Sequence, residues 1–202
     1  MTELCTNSIR ILDVVYGTSV DGPGLRASVY GAGCTHHCPG CHNPQSWDPD
    51  GGTSMSIDQL AADLLREEMN VTFSGGDPMF QPEAFAMLAR KLRQQAALTI
   101  WCYTGYRFEA LVNDPRRRPL LEQVDVLVDG PFVQSLRDIS LRFRGSSNQR
   151  LIDVRSSLDT GEVQLYAIPE ITTGGISASR HKILSDMDSL SQKEIPNFSF
   201  SE

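Results

Sequence analysis

Residues 34–47 read Cys-Thr-His-His-Cys-Pro-Gly-Cys-His-Asn-Pro-Gln-Ser-Trp and contain three of the five cysteines of the chain. The C-x3-C-x2-C spacing lies on a segment with proline and glycine. It predicts an irregular loop in which the thiolates of Cys34, Cys38 and Cys41 converge on one soft metal centre. Structural zinc sites and electron-transfer iron–sulfur clusters are normally closed by four protein ligands. Three cysteines on a four-iron cluster would leave one iron open to a substrate or cofactor.

A structural zinc site is the second interpretation of the same loop. His36, His37 and His42 lie within reach of the three cysteines, and a Cys3His set is a common zinc site. The other two cysteines, Cys5 and Cys102, are distant in sequence and do not repeat the local spacing. The loop alone therefore leaves two classes of protein open, an iron–sulfur enzyme and a zinc-binding interaction module.

The composition narrows the class of partner. The 202 residues carry a formal net charge of −7, which argues against a nucleic-acid-binding protein because such a protein needs a basic face. Residues 1–10 lack the apolar run of a signal peptide, and no stretch approaches the roughly 18 apolar residues of a membrane span. An odd number of cysteines, clustered in one loop, is typical of reduced thiols. We therefore predict a cytoplasmic protein without membrane or nucleic-acid partners.

The chain around the cysteine loop alternates strands and helices. Leu25–Tyr30 is predicted to be a strand that leads into the loop, and further strands are predicted at 71–73, 98–103 and 124–129. Helices are predicted after Ser56, which is a candidate N-cap, and from Pro82. This order predicts an α/β fold with a parallel sheet and outer helices, in which the loops after the strands gather on one rim.

Two of these strand ends carry residues suited to a binding site. Gly75 and Gly76 have no Cβ and would let the backbone approach a ligand closely, and Asp77 adds a carboxylate. Asp129 ends the strand at 124–129. Both ends would lie on the same rim as the cysteine loop.

The remaining segments are predicted to be peripheral. Arg116–Arg118 is interpreted as a solvated surface run, and Cys102 as a buried small apolar residue. Residues 156–166 are predicted to form a hairpin around Asp159-Thr160-Gly161. The chain is divided into a domain at 1–166 and an appendage at 167–202, which is predicted to be poorly ordered because it lacks sustained periodicity.

Six ordered stretches carry a resemblance to a known family. They are Asp21-Gly22-Pro23-Gly24, Cys34-x3-Cys38-Pro39-Gly40-Cys41-His42-Asn43, Ser74-Gly75-Gly76-Asp77-Pro78, Trp101-Cys102-Tyr103-Thr104-Gly105-Tyr106, Val128-Asp129-Gly130 and Arg144-Gly145-Ser146-Ser147-Asn148-Gln149. From Ile9 to Tyr166 the chain resembles the radical S-adenosylmethionine (SAM) activases. More narrowly, it resembles the activating proteins of anaerobic (class III) ribonucleoside-triphosphate reductase.

The resemblance implies that Cys34, Cys38 and Cys41 bind a [4Fe–4S] cluster and that the amino and carboxylate groups of SAM chelate its fourth iron. Reduction of the cluster would cleave SAM to methionine and a 5′-deoxyadenosyl radical, which would take a hydrogen atom from a glycine of the reductase. No catalytic side chain is implied beyond the cluster and SAM.

The resemblance also implies roles for the residues around the cluster. The backbone of Gly75 and Gly76 would contact the methionine end of SAM, and Asp77 would lie near its ammonium group. Gly40, Cys41 and His42 would run beside the adenosyl part, and Asp129 is a candidate for ribose or methionine contact. The resemblance assigns no role to Asn148 and Gln149.

For the fold and the partners, the resemblance implies a partial, open β/α barrel of the radical SAM type. The chain is too short for six complete units, so one side would face solvent until the reductase covers it. An electron donor such as flavodoxin would reduce the cluster. The alternative partner within the family is another glycyl radical enzyme of the formate-lyase type.

Overall fold

The computed structural model describes residues 7–169. They form an α/β fold with one eight-stranded β-sheet, which contains parallel and antiparallel strands, and helices pack against one of its faces. The appendage at 167–202 is predicted to be poorly ordered, and from position 170 onward it lies outside the described residues. The described range contains these strands and α-helices: β1 (Ser8–Thr18), β2 (Arg26–Gly31), β3 (Thr53–Ser56), α1 (Ile57–Arg66), β4 (Asn70–Gly75), α2 (Pro82–Gln95), β5 (Ile100–Tyr103), α3 (Phe108–Val112), α4 (Arg118–Leu121), β6 (Val126–Asp129), β7 (Arg150–Asp153), α5 (Val154–Thr160) and β8 (Gln164–Leu165).

The strand order is β3-β1-β2-β4-β5-β6-β7-β8, with β3 and β8 at the edges. The four strands from β2 to β6 in this order are parallel, as predicted. The prediction of a parallel sheet is wrong for the flanking strands, since β1 and β3 on one side and β7 and β8 on the other pair antiparallel. A short turn joins β1 to β2, and β7 follows β6 without a crossover α-helix, so the chain returns in the opposite direction.

Alternate residues of the central strands form the main core. Ala27, Val29 and Phe73 are fully buried and belong to one apolar cluster with residues of α1 and α2. The predicted N-cap of α1 is confirmed, because the Ser56 side chain accepts a hydrogen bond from the backbone N–H of Gln59. Helix α2 begins with Pro82, as predicted. The helices thus cover the face of the sheet that carries the apolar side chains.

The opposite face is covered by loops, and it buries a charged residue. Arg26 is fully buried, and its guanidinium donates to Thr72 Oγ1 at 2.7 Å and to the Val71 and Thr99 carbonyl oxygens at 2.6 and 3.0 Å. Burial lowers the pKa of Arg26 to about 10. Trp101 also lies on this face. Its ring contacts the ring of Phe143 from the loop after β6 and the ring of Tyr166 after β8, both edge-on.

The predicted hairpin at 156–166 is wrong. The structure has helix α5 there, and Asp153 caps it by accepting from the backbone N–H of Ser156 at 2.8 Å. The helix ends at Gly161, which has a left-handed backbone with φ of +75°. The Asp-Thr-Gly sequence was interpreted as a hairpin turn, but glycine is also the usual residue just after a helix.

Candidate functional site

A pocket of about 110 Å³ lies where the parallel strands end. It brings together the cysteine loop, the turn after β4, the turn after β5 and the loop after β6. The residues that line it are Cys34, His36, Cys38, Cys41, His42, Ser46, Trp47, Ser74, Gly75, Gly76, Asp77, Tyr103, Thr104, Gly105, Gly130, Phe132 and Gln149. Every side of the pocket therefore comes from the rim predicted for the binding site.

All three cysteines of the loop have free thiols and line this pocket. Cys34 is buried, which raises the pKa of its thiol, whereas Cys38 and Cys41 are half-buried. The loop turns through left-handed backbone at His37 and Gly40, with φ of +46° and +75°. The backbone N–H of Asn43 donates to Cys41 Sγ at 3.4 Å. Three soft sulfur donors that line one pocket are the ligand chemistry that an iron–sulfur cluster requires.

Backbone hydrogen bonds hold both ends of the cysteine loop. Gly33 N–H donates to the Ser46 carbonyl oxygen at 2.8 Å, and Cys34 N–H donates to the Trp47 carbonyl oxygen at 3.2 Å. The Ser46 hydroxyl donates to the Gly75 carbonyl oxygen at 3.2 Å. The loop is thereby fastened to itself and to the turn after β4. Within residues 7–169, no three His, Cys, Asp or Glu side chains are grouped closely enough to hold a single metal ion.

Gly75 and Gly76 meet another part of the backbone. A Cβ on Gly75, whose φ is +99°, would lie 2.4 Å from the amide nitrogen of Gly31. A Cβ on Gly76 would lie 2.3 Å from the carbonyl oxygen of Gly33 and 2.6 Å from that of Ser46. The two glycines allow the turn after β4 to pack directly on the end of β2 and on the cysteine loop. Both residues also line the pocket.

Asp77 connects three parts of the site. It is 2% exposed, and its Oδ1 accepts from the backbone N–H of Met79 at 2.8 Å. Its Oδ2 accepts from the Thr104 hydroxyl at 2.9 Å and from Gly105 N–H at 3.1 Å. His36 Nε2 lies 3.0 Å from the same oxygen, without the alignment of a hydrogen bond. One carboxylate thus joins the turn after β4, the turn after β5 and the cysteine loop.

Of the other predicted site residues, some line the pocket and some do not. His42 is exposed at the pocket, whereas Gly40 lies outside the lining and packs against Gln134, which would be 2.8 Å from a Cβ at that position. Asp129 is fully buried and also lies outside the lining. Its carboxylate accepts from Arg150 Nε at 2.9 Å and from Phe108 N–H at 2.9 Å. The structure does not bring Asp129 to the pocket.

Gln149 and Asn148 close the wall formed by the loop after β6. Gln149 Oε1 accepts from Gly145 N–H at 2.9 Å, and its Nε2 donates to the Gly130 carbonyl oxygen at 3.1 Å. Asn148 Nδ2 donates to the Pro131 carbonyl oxygen at 2.8 Å. These two amides tie the two ends of the loop together, which is the role that the sequence did not reveal. The sequence did not single out Thr104, and it offered His36 only as a possible zinc ligand, although both stand in quoted motifs.

Comparison with known proteins gives the following matches. A sequence family described as a 4Fe-4S single cluster domain matches residues 20–152. Anaerobic ribonucleoside-triphosphate reductase-activating proteins of Salmonella typhi and of Escherichia coli K12 are each 37% identical over 139 residues, which cover 64% of this chain and 89% of theirs. The protein of that name from Enterobacteria phage T4 is 34% identical, covering 65% of this chain and 86% of its own.

Among solved structures, QueE from Escherichia coli covers 91% of both chains at 12% identity, with a TM-score of 0.41. A likeness at this level carries no argument about chemistry. Within residues 7–169, no helix is long and apolar enough to cross a membrane.

Proposed function

Because the chain belongs to the family of anaerobic ribonucleoside-triphosphate reductase-activating proteins, we propose that it is a radical SAM activase of that reductase. It also carries a 4Fe-4S single cluster domain. Cys34, Cys38 and Cys41 would hold the cluster, and when bound and reduced it would supply the electron for cleavage of SAM to methionine and the 5′-deoxyadenosyl radical that takes a hydrogen atom from a glycine of the reductase. The observation that carries the proposal is the pocket at the ends of the parallel strands, which is lined by three free thiols together with Gly75, Gly76 and Asp77.

Cys34, Cys38 and Cys41 would hold the cluster. Their donor chemistry fits it, since iron–sulfur clusters are bound by cysteine thiolates. Burial favours the uncharged thiol of Cys34, so binding of iron would have to displace its proton, as metals do at coordinating thiols. The hydrogen bonds that fix the ends of the loop keep the segment that carries the three cysteines at the pocket before the cluster binds.

The turn after β4 would hold the methionine part of SAM. Gly75 and Gly76 line the pocket and present backbone there. Asp77 Oδ2 accepts two hydrogen bonds and lies 3.0 Å from His36 Nε2, whereas Oδ1 accepts one, so about one acceptor position, on Oδ1, is left for an ammonium group. Cys41 and the exposed His42 would run beside the adenosyl part, with Gly40 supporting the loop from outside.

Asp129 receives a different role from the one its position suggested. Its carboxylate forms ion pairs with Arg150 and with Arg107 Nη1, the latter at 3.4 Å, and it also accepts from a backbone N–H. A buried carboxylate with these partners has little acceptor capacity left. We assign Asp129 to the support of the pocket wall rather than to contact with ribose or methionine.

We further propose that the sheet is an open, partial β/α barrel and that the reductase covers its open side, between the edge strands β3 and β8. The sheet ends in two unjoined edges, and its helices lie against one face, which supports this arrangement within residues 7–169. The remaining parts of the proposal are a cytoplasmic location, which the composition of the sequence predicts, and a reductant such as flavodoxin, which the resemblance implies.

The test is anaerobic reconstitution followed by incubation with reductant, SAM and the reductase. The wild-type protein should bind a [4Fe–4S] cluster, form 5′-deoxyadenosine and produce a glycyl radical signal in electron paramagnetic resonance (EPR). Cys38→Ala should lose all three properties, because two cysteines remain for the cluster. Cys102→Ala is the matched control, since Cys102 is buried away from the pocket in β5, and it should retain the cluster.

Three results would contradict the proposal in different ways. A colourless protein that binds one zinc ion would favour a structural zinc module. A glycyl radical on a formate-lyase-type enzyme, with none on the reductase, would move the assignment to that partner. A Cys38→Ala variant with full cluster content would refute the ligand set.

A further inference from the structure

The three consecutive arginines at 116–118 do not behave as one solvated run. Arg116 forms an ion pair with Glu83 and Arg118 with Glu122, and both arginine side chains are about half exposed. Arg117 is 21% exposed, and its side chain contacts Met79 and Tyr106. Its Nε donates to the carbonyl oxygen of Met79, two residues after Asp77, at 3.0 Å, and it also pairs with Asp114.

Arg117 reaches the cysteine loop through Tyr106. Its guanidinium lies 4.4 Å from the centre of the Tyr106 ring, and its Nη2 donates to the Tyr106 hydroxyl at 3.0 Å. The edge-on contact between the Tyr106 and His36 rings has a centroid distance of 4.5 Å. The Tyr106 hydroxyl is also 3.4 Å from Thr35 Oγ1. Thr35 and His36 both lie between the first two cysteines of the loop.

The far side of His36 is equally confined. Its Nε2 lies 3.0 Å from Asp77, and a Cβ on Gly105 would be 2.3 Å from the imidazole. The ring is therefore packed between the turn after β5, the Tyr106 side chain and the Asp77 carboxylate. Arg117 contacts both ends of this arrangement, at Tyr106 and at the turn that follows Asp77.

We propose that Arg117 is a positioning residue for the cluster. Through Tyr106 and His36 it fixes the Cys34–Cys38 part of the loop relative to the Gly75–Asp77 turn. This inference rests on the proposed function, since it assigns a role toward the cluster of that site. A planar guanidinium can stack on a ring and donate to two oxygens at once, whereas lysine keeps the charge without this geometry. The proposed role therefore depends on the planar geometry of the guanidinium and not on its charge alone.

The test compares Arg117→Gln and Arg117→Lys with Arg116→Gln and Arg118→Gln. In the metal-free proteins, hydrogen exchange of residues 34–38 should be faster in both Arg117 variants and unchanged in the two controls. After reconstitution, the Arg117 variants should hold iron about tenfold more weakly in competition with a chelator, the lower end of the range for residues that orient metal ligands. The change in the EPR spectrum of the reduced cluster on addition of SAM should also differ between the Arg117 variants and the wild-type protein.

The outcomes separate the inference from the proposed function. Wild-type exchange and EPR in both Arg117 variants would overturn the inference while leaving the function intact. A normal Arg117→Lys beside an altered Arg117→Gln would also overturn it, because charge alone would then suffice. If the Arg117 variants fail to fold, Tyr106→Phe takes their place. It keeps the ring and removes the hydroxyl, so faster exchange at 34–38 supports the inference and unchanged exchange overturns it. A wild-type protein without a cluster refutes both.

Discussion

At the scale of single residues, Gly76 has little room for a side chain. A methyl group there would meet two carbonyl oxygens of the backbone, those of Gly33 and Ser46, at 2.3 and 2.6 Å. We expect Gly76→Ala to lower the free energy of unfolding by about 1–3 kcal/mol, the usual cost of overpacking, because backbone must move. Urea denaturation of the metal-free protein measures this.

The matched control for Gly76 is Gly51→Ala. The nearest atom to a Cβ at Gly51 is 3.2 Å away, and its backbone is not left-handed. This variant should stay within about 1 kcal/mol of wild type, as surface substitutions generally do. Equal stability of Gly76→Ala and wild type would refute the close packing of the turn on the cysteine loop.

The sequence predicted these residues better than it predicted their contacts. Gly75, Gly76 and Asp77 were identified as part of the site because glycines and a carboxylate follow a strand. The nearest neighbours of the glycines are backbone atoms of the cysteine loop and β2, and such long-range contacts leave no local pattern. The same limit applies to Asp129, whose partner Arg150 is far along the chain.

At the scale of elements, α5 offers the clearest measurement. The carboxylate of Asp153 accepts from Ser156 N–H at 2.8 Å and caps the helix. Asp153→Ala should reduce stability by about 1 kcal/mol, whereas Asp153→Asn should retain most of it, because asparagine is an equally good N-cap. Thermal or urea unfolding compares the two. An equal loss in both variants would show that the capping bond is not the cause.

The elements also show which patterns are informative. The parallel strands and α1 were predicted because apolar periodicity and capping signals agree there. The antiparallel edges were missed because the direction of a strand depends on the connection that precedes it. Helix α5 was missed because Asp-Thr-Gly ends a helix or turns a hairpin with equal ease, and only its packing on β7 and β8 decides between them.

At the scale of the whole molecule, two tyrosines on the loop-covered face of the sheet should make the stability of the protein change with pH in the alkaline range. Burial, and then the nearby Asp21, raise the pKa of Tyr30 to about 12, and burial also raises the pKa of Tyr103. Below pH 10 this contribution is fully present. Between pH 10 and 12 the unfolded tyrosines lose protons that the folded ones keep, so stability falls as the pH rises, and at the partly exposed Tyr30 the fall is smaller than the limit of about 1.4 kcal/mol per pH unit.

The buried guanidinium of Arg26 acts in the opposite direction. Its lowered pKa means that the folded state releases this proton first, so stability rises through the same pH range and offsets one tyrosine. Tyr30→Phe should therefore flatten the decline between pH 10 and 12, while below pH 9 it should differ from wild type by a constant. Urea unfolding at a series of pH values measures the slope. An unchanged slope would contradict the role of Tyr30.

The pairing of β2 with β4 has a further consequence for the order in which the molecule forms. Ala27 pairs with Val71, and the whole cysteine loop and α1 lie between them in the chain. The loop is held by this ladder and by its continuation, in which Gly76 N–H donates to Gly31 at 2.8 Å. Pairings between distant segments form later than helices and hairpins. Because the loop is held by this late-forming ladder, we expect the newly synthesised chain to complete its central sheet before the loop binds iron and sulfide. A zinc finger differs, since its metal drives folding.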